Sequence, residues 1–224
     1  VVEEVRLARD GVHADTWLWF EVADADVQEE WDGAAATFDD EPDHGLRDPA
    51  ARAAWAALLA SLLPNTPSDI ADIGCGTGTL SVLLAEAGHR VRALDLAPRM
   101  VDLARAKAGA AGVEVDVVVG DASYPPWSSG SVDAVVARHV VWALPDPAEA
   151  LARWLGLLRP DGRLVLVEGF WHTGAGLHAT DVVGLLDGLG CPSEVVALDD
   201  AVLWGGPLRD ERYAVVARPR ASRQ

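Results

Sequence analysis

The sequence predicts an α/β fold, with a doubly wound, mainly parallel seven-stranded sheet and an N-terminal helical cap. From Asp69 onward, short apolar β-branched runs alternate with longer segments rich in alanine and leucine, as strands and helices alternate in such folds. The runs are apolar along most of their length, which is typical of parallel strands covered on both faces. The 224 residues, 50% of them hydrophobic, suffice for one such core.

The first predicted helix begins at Asp48-Pro49, an N-cap followed by proline at the first helical position, and ends near Pro64. We expect an extension and helical cap over residues 1–64 and a ligand-binding core over 65–224. The predicted strands are Asp69–Ile73, Val91–Asp95, Val113–Val119, Val132–Arg138, Arg163–Glu168, Glu194–Leu198 and Arg212–Ala217. The predicted helices of the core are Thr79–Ala87, Pro98–Ala108, Pro147–Leu158 and Asp181–Leu189. Residues 1–30 show no clean period, so their role stays open.

The net charge of −17 argues against polyanionic partners. Nucleic acids and anionic membranes both attract basic surfaces, so we expect neither as a partner. The excess of negative charge is concentrated near the N-terminus, because residues 1–48 hold fifteen acidic residues against three arginines. It is either a solvated acidic face or an acidic lid that selects a cationic ligand, and the solvated face is the commoner arrangement.

The cysteine content and the absence of a sorting signal predict a cytoplasmic protein. Cys75 and Cys191 are too few for a disulfide framework. No apolar run reaches the roughly 18–20 residues of a membrane span, and no basic segment precedes an apolar stretch near Val1. The sequence leaves the oligomeric state open, as a monomer or a homodimer.

The most informative segment is a glycine-rich turn between a strand and a helix, Ile70–Leu80. Its glycines allow positive φ and remove Cβ atoms, so a ligand can lie against the backbone amides at the sheet edge. The third glycine of the dinucleotide fingerprint is replaced by Thr79 or Ser81, depending on the register, and no Walker lysine is present. The turn therefore predicts a nucleoside ligand without a phosphate.

Five segments in order resemble the motifs of class I S-adenosylmethionine-dependent methyltransferases. They are Asp72-Ile-Gly-Cys-Gly-Thr-Gly, Asp95-Leu-Ala-Pro-Arg-Met, Gly120-Asp-Ala, Asp133-Ala-Val-Val-Ala-Arg-His and Leu158-Arg-Pro-Asp-Gly-Arg-Leu. The resemblance covers about residues 69–168. It implies a Rossmann-like fold, S-adenosyl-L-methionine as cofactor and S-adenosyl-L-homocysteine as product.

The resemblance also implies roles for three acids. Asp95 would accept from the ribose hydroxyls, or alternatively cap the helix that begins at Pro98. Asp121 would accept from the adenine amino group while the Ala122 amide meets a ring nitrogen, or alternatively cap its own loop. Asp72 would lie near the methionine ammonium, or alternatively satisfy buried amides of the turn.

Further cofactor contacts are implied for the turn, the strand ends and the cap. Arg138 would contact the methionine moiety, or alternatively form a surface ion pair. Phe38, in the aromatic segment Trp31–Asp40, would cover the cofactor as a lid, or alternatively pack within the cap. The remaining cofactor residues implied are Gly74, Cys75, Gly76, Gly78 and Leu96, with Cys75 acting as a small turn residue because no base is indicated beside it.

Catalytic candidates follow the fourth and fifth predicted strands. His139 and His172 are candidate general bases. His139 is alternatively a hydrogen-bonded structural residue or a backbone contact of the cofactor, and His172 alternatively packs against the cap. Phe170 and Trp171 would stack on an aromatic substrate or pack against the cap. No metal is predicted, because Asp39–His44 lacks both a calcium-loop spacing and a second histidine at a useful interval.

Together these features predict methyl transfer from S-adenosylmethionine to a small-molecule acceptor in bacterial biosynthetic or secondary metabolism. The Asn/Asp-Pro-Pro-aromatic motif common in base-amino methyltransferases is absent, which disfavours nucleic acid as acceptor. The acceptor atom is oxygen, nitrogen or carbon. The alternatives are a non-catalytic S-adenosylmethionine-binding protein and an enzyme that uses the cofactor for non-methyl chemistry.

Overall fold

A computed structural model describes residues 26–65 and 67–219, so most of the extension lies outside the described residues. The helices are α1 (26–34), α2 (Pro42–Gly45), α3 (Pro49–Leu62), α4 (Thr79–Glu86), α5 (Pro98–Ala111), α6 (Pro147–Leu157) and α7 (Ala179–Gly188). The strands are β1 (Asp69–Ile73), β2 (Arg90–Asp95), β3 (Val115–Val119), β4 (Val132–Arg138), β5 (Leu158–Phe170), β6 (Ser193–Ala197) and β7 (Glu211–Ala217).

The strands form one seven-stranded sheet in the order β3-β2-β1-β4-β5-β7-β6. Strands β1 to β5 pair in parallel, whereas β7 is antiparallel to both β5 and β6. The predicted doubly wound, mainly parallel α/β sheet is therefore confirmed. The strand order reverses between β1 and β4, and ligands of such sheets bind in the crevice at that reversal.

Each face of the sheet is covered by its own apolar layer. Trp154 of α6 and Leu186 of α7 belong to one buried cluster, and Trp55 of α3 and Leu83 of α4 belong to the other. Strand β7 contributes to both, because successive side chains of a strand point to opposite faces. The sheet is therefore buried on both sides, as its apolar strands require.

Helix α3 joins the N-terminal segment to the sheet. Its predicted N-cap is present, since the Asp48 carboxylate accepts from the amides of Ala50 and Ala51 at 2.6 and 3.2 Å. Trp55 is fully buried and donates its indole N–H to the carbonyl oxygen of Leu203 at 2.7 Å. Helix α3 shares a buried cluster with the sheet. The predicted division of the chain into a cap over residues 1–64 and a core over 65–224 stays a prediction.

Strands β3 and β5 differ from the sequence prediction by two residues or more, for local reasons. Strand β3 begins two residues late, because Gly112 (φ 68°) ends α5 and the Val113 amide donates to Ala108. Strand β5 begins at Leu158, which pairs with Val132 before a shift in register. Among the described residues, none of the helices has the length and apolar character needed to cross a membrane.

Replacing Gly78 by alanine is expected to lower the free energy of unfolding by about 2–4 kcal/mol. Gly78 has φ +78°, and a Cβ there would lie 2.7 Å from the Cβ of Ala104 on α5. The control is Gly109→Ala. Gly109 lies on α5, as Ala104 does, and a Cβ added there meets nothing within 4 Å. Urea unfolding of both variants checks this, and an equal midpoint would contradict it.

Candidate functional site

The acidic residues implied in cofactor binding lie at one edge of the sheet. Asp72 is in β1, Asp95 ends β2, Asp121 follows β3, and His139 directly follows β4. Because β1 to β4 are parallel neighbours, their carboxyl ends face the same crevice.

The glycine-rich turn packs closely against its neighbours, and three of its amides are already used. Gly74, Gly76 and Gly78 all have positive φ, at 68°, 54° and 78°. The amides of Cys75, Gly76 and Gly78 already donate to Leu94, Asp95 and Cys75 respectively. These three amides are therefore not free to donate to a ligand, and the implied contact between a ligand and the turn stays a prediction.

Asp95 is held in one orientation by the backbone. Its Oδ2 accepts from the Gly76 amide at 2.8 Å, and its Oδ1 accepts from the Ala97 amide at 3.0 Å. A carboxylate has about four acceptor sites, so roughly two remain for a pair of ribose hydroxyls. Burial raises its pKa despite these bonds. Asp95 therefore anchors the start of α5, in line with one alternative, and it also keeps acceptor sites that could receive the ribose hydroxyls, which was the other.

Asp72 and Asp121 differ in burial. Asp72 is buried and accepts from the Ser81 hydroxyl, and burial raises its pKa to about 6 although Ser81 and Arg138 favour its charged form. Asp121 is half-buried and its Oδ1 accepts from the Ser123 amide at 2.7 Å, so it caps its own loop. Neither arrangement tests the implied contacts to methionine and adenine, which stay predictions.

The N-terminal segment lies directly over the turn. The Phe38 ring is 3.2 Å from where a Cβ of Gly76 would be, so this ring is in contact with the turn. The Asp32 carboxylate in α1 accepts from the Arg99 amide at 2.8 Å in the first turn of α5. Ala35 and Met100 belong to one small apolar cluster, against which Phe38 packs.

Lys107 connects this segment to the turn. Its ammonium is 2.8 Å from Asp39 and donates to the hydroxyls of Thr77 and Thr79 at 2.8 and 2.6 Å. Thr77 also donates to Asp39 at 2.5 Å. Burial raises the pKa of Asp39, but the hydrogen bonds from Lys107 and Thr77 outweigh it and the pKa ends below its usual value. We define this set as the Lys107 network.

Replacing Lys107 by methionine is expected to destabilise the protein by about 1–3 kcal/mol, because it leaves a half-buried carboxylate without its cation. The matched control is Arg47→Met. Arg47 pairs with Asp40, the neighbour of Asp39 in the sequence, but the side chains of Arg47 and Asp40 are 69% and 59% exposed. We expect the control to change stability by less than about 1 kcal/mol. Equal losses in denaturant unfolding would contradict the prediction.

Arg138 does not form the surface ion pair considered from the sequence. Its guanidinium donates to the carbonyl oxygen of Asp43 and lies 5.1 Å from the centroid of the Trp55 ring. Burial lowers its pKa, while Asp43 and Asp72 favour its charged form. The side chain thus links the end of β4 to α2, and its implied contact with methionine stays a prediction.

His139 lies among aromatic rings and carries an unpaired nitrogen. Ring centroids of Trp171, Trp204 and His44 are 5.0, 6.1 and 6.4 Å from its own. Its Nε2 is buried without a hydrogen-bond partner, and its φ of 58° is unusual for a residue with a side chain. Burial, followed by the charge of Arg138, lowers its pKa well below the usual value, so the ring is neutral at pH 7.

The other candidates, at and after the end of β5, differ in their contact with the His139 ring. The side chain of His172 is 76% exposed, and its Nδ1 is 3.3 Å from Asp210. Phe170 stacks on His178 at 4.0 Å. Trp171 meets both His139 and Trp142 edge-on. Burial raises the pKa of the Cys75 thiol well above the usual value, which disfavours the thiolate form that a nucleophile needs.

Sequence reasoning missed the role of Glu168. This fully buried carboxyl group at the end of β5 accepts from the amides of Val140 and Val141 at 2.9 and 2.8 Å through Oε1. Burial raises its pKa to about 8. The only available signal was an acid at the end of an otherwise apolar strand.

Comparison with known families and structures agrees with this geometry. Residues 71–166 match the family described as a methyltransferase domain. Over 114 residues the chain is 36% identical to a demethylmenaquinone methyltransferase of Deinococcus radiodurans, covering 50% of this chain and 47% of that protein. Over 109 residues it is 38% identical to a ubiquinone biosynthesis O-methyltransferase of Xanthomonas axonopodis pv. citri, covering 48% and 46%.

The chain therefore spans about half the length of the curated relatives it matches. Among solved structures, the crystal structure of the [4+2]-cyclase SpnF has a TM-score of 0.65 at 19% identity, over 74% of this chain and 80% of that one. That likeness shows the fold alone. The family match, the related sequences and the order of the motifs lead to one conclusion: residues 71–166 are a methyltransferase domain of the class I S-adenosylmethionine-dependent family, and S-adenosylmethionine is its cofactor.

Proposed function

We propose that the protein transfers the methyl group of S-adenosylmethionine to a small-molecule acceptor. The observation that carries the proposal is Asp95, whose carboxylate is fixed by two backbone amides beside the glycine-rich turn and keeps acceptor sites free. Asp95 ends β2, between the end of β1 with Asp72 and the glycines and the end of β3 with Asp121. This arrangement fits a phosphate-free nucleoside with an amino-acid tail.

We further propose that the acceptor is flat and apolar over much of its surface. Four rings lie near or next to His139, namely those of His44, Trp142, Trp171 and Trp204. Such rings favour stacked or edge-on aromatic partners. The two relatives are named for quinone biosynthesis, so phenols and quinols are the first acceptors to test.

The role of His139 as general base stays a prediction. The lowering of its pKa by burial favours the neutral ring, which can accept a proton, but it also makes the ring a weak base. Methyl transfer to an activated carbon depends strongly on positioning, so a weak base is compatible with it. His172, exposed and paired with Asp210, is the less favoured candidate.

The deciding experiment measures S-adenosylhomocysteine formation with a panel of phenols, quinols and amines. We expect product to form with some acceptors and to be lost in Asp95→Ala. Tight binding of S-adenosylmethionine without product from any acceptor would favour the binding-protein alternative. Consumption of an acceptor without methylation would favour non-methyl chemistry, which remains open because a fold does not decide a reaction.

A further inference from the structure

Two histidines and an aspartate meet between α2 and the end of β4. Asp43 and His44 belong to α2, and His139 follows β4. One carboxylate oxygen and one ring nitrogen from each histidine all lie within 4.8 Å of one another. The three side chains are half-buried. We call Asp43, His44 and His139 the His-Asp cluster.

His44 is oriented as a metal ligand usually is. Its Nδ1 lies 3.2 Å from the carbonyl oxygen of Phe38, so Nδ1 carries the proton and the Nε2 lone pair is free. Metal-binding imidazoles commonly donate their other N–H to a carbonyl or a carboxylate in this way. The freed Nε2 is 3.8 Å from Oδ2 of Asp43.

His139 supplies the second, independent observation. Its Nε2 is buried and has no hydrogen-bond partner, which is rare for a buried polar atom. The backbone holds the residue in place, because its amide donates to Val167 and its carbonyl accepts from the Trp142 indole, each at 2.9 Å. The positive φ of 58° is the kind of strained conformation that clusters at functional sites.

We propose that the His-Asp cluster binds a divalent transition-metal ion of the zinc type. Two imidazoles and one carboxylate suit zinc and its neighbours better than calcium or magnesium. Three protein ligands leave a fourth position open, as in catalytic zinc sites. Ligand atoms of a tetrahedral zinc ion lie about 3.4 Å apart, so the side chains would move inward by roughly 1 Å on binding.

Arg138 sets an upper limit on the affinity. Its guanidinium donates to the carbonyl oxygen of Asp43, so a positive charge adjoins the cluster and opposes a second cation. We therefore expect binding in the micromolar range, well below the affinity of structural zinc sites. Arg138→Gln is expected to tighten it about tenfold, because it removes that charge.

The test titrates the full chain, without cofactor, with cobalt(II) and separately with zinc. We expect one equivalent to bind and cobalt(II) to show the visible d–d bands of a four-coordinate site. His139→Asn and Asp43→Asn should each weaken binding at least tenfold. Asparagine tolerates positive φ, so the first variant is chosen to keep the fold. His172→Ala, which removes an exposed histidine outside the cluster, is the control and should leave binding unchanged.

Binding unaffected by both cluster substitutions, or weakened equally by His172→Ala, would overturn the proposal, as would no binding at all. Should His139→Asn unfold, Asp43→Asn decides the matter alone. The measurement uses neither S-adenosylmethionine nor an acceptor. Its failure is therefore distinguishable from failure of the proposed methyl transfer.

Discussion

Replacing Asp95 by alanine is expected to weaken binding of S-adenosylhomocysteine by about 100-fold, or roughly 3 kcal/mol. The carboxylate is held by the amides of Gly76 and Ala97, so its remaining acceptor sites face the crevice in a fixed direction. Hydrogen bonds to a charged acceptor are the strong ones, and two are lost at once. Calorimetry with S-adenosylhomocysteine measures the effect.

A control separates ligand contact from support of the turn. Asp95→Asn keeps one oxygen acceptor and is expected to lose less affinity than Asp95→Ala. Denaturant unfolding of both variants measures what the bonds to Gly76 and Ala97 contribute to stability. Unchanged affinity in Asp95→Ala would refute the proposed ribose contact, whereas a loss of stability without a loss of affinity would leave Asp95 only its structural role.

The second large effect concerns Glu168. Glu168→Ala removes the acceptor for the amides of Val140 and Val141 and is expected to cost about 2–4 kcal/mol of stability. Glu168→Gln keeps an oxygen acceptor of the same shape and is expected to lose much less. Urea unfolding at pH 5 compares the two, and equal losses would contradict the prediction.

The pH dependence of stability gives an independent check on Glu168. The folded pKa of about 8 lies above the ordinary value of 4.5, so between these values the folded protein binds the extra proton. Stability from this group is therefore full below about pH 4.5 and is lost as the pH rises through about 8. The difference in the free energy of unfolding between the wild type and Glu168→Gln should therefore change by a few kcal/mol between about pH 4.5 and pH 8. Glu194→Gln, at an exposed glutamate, should follow the wild type.

The sheet was largely predictable because its strands are local apolar runs with clear ends. β1 and β4 have the predicted bounds, and β2 and β7 each begin one residue earlier. The bounds of β3 and β5 depended on a helix C-cap and a register shift, which no local pattern indicates. The short helix α2 was not predicted, since four residues are too few for a period.

The site was less predictable, because its decisive contacts join distant parts of the chain. Motif order places Asp95 and the glycines, but nothing in the sequence brings Lys107 to Asp39 or His44 to His139. A metal was rejected from the sequence for lack of a second histidine at a useful spacing. In the folded chain His139, which comes from another element, lies close enough to His44 to be the second histidine of the proposed site.

The position of β7 between β5 and β6 has a consequence for synthesis of the protein. Until residues 211–217 have left the ribosome, the edge of β5 that later pairs with β7 is unpaired. During the same period β6 has no neighbouring strand in the sheet. Unpaired strand edges with apolar faces are templates for association between chains. Nascent or truncated chains that stop before Glu211 should therefore aggregate, even though every residue implied in cofactor binding has already been made.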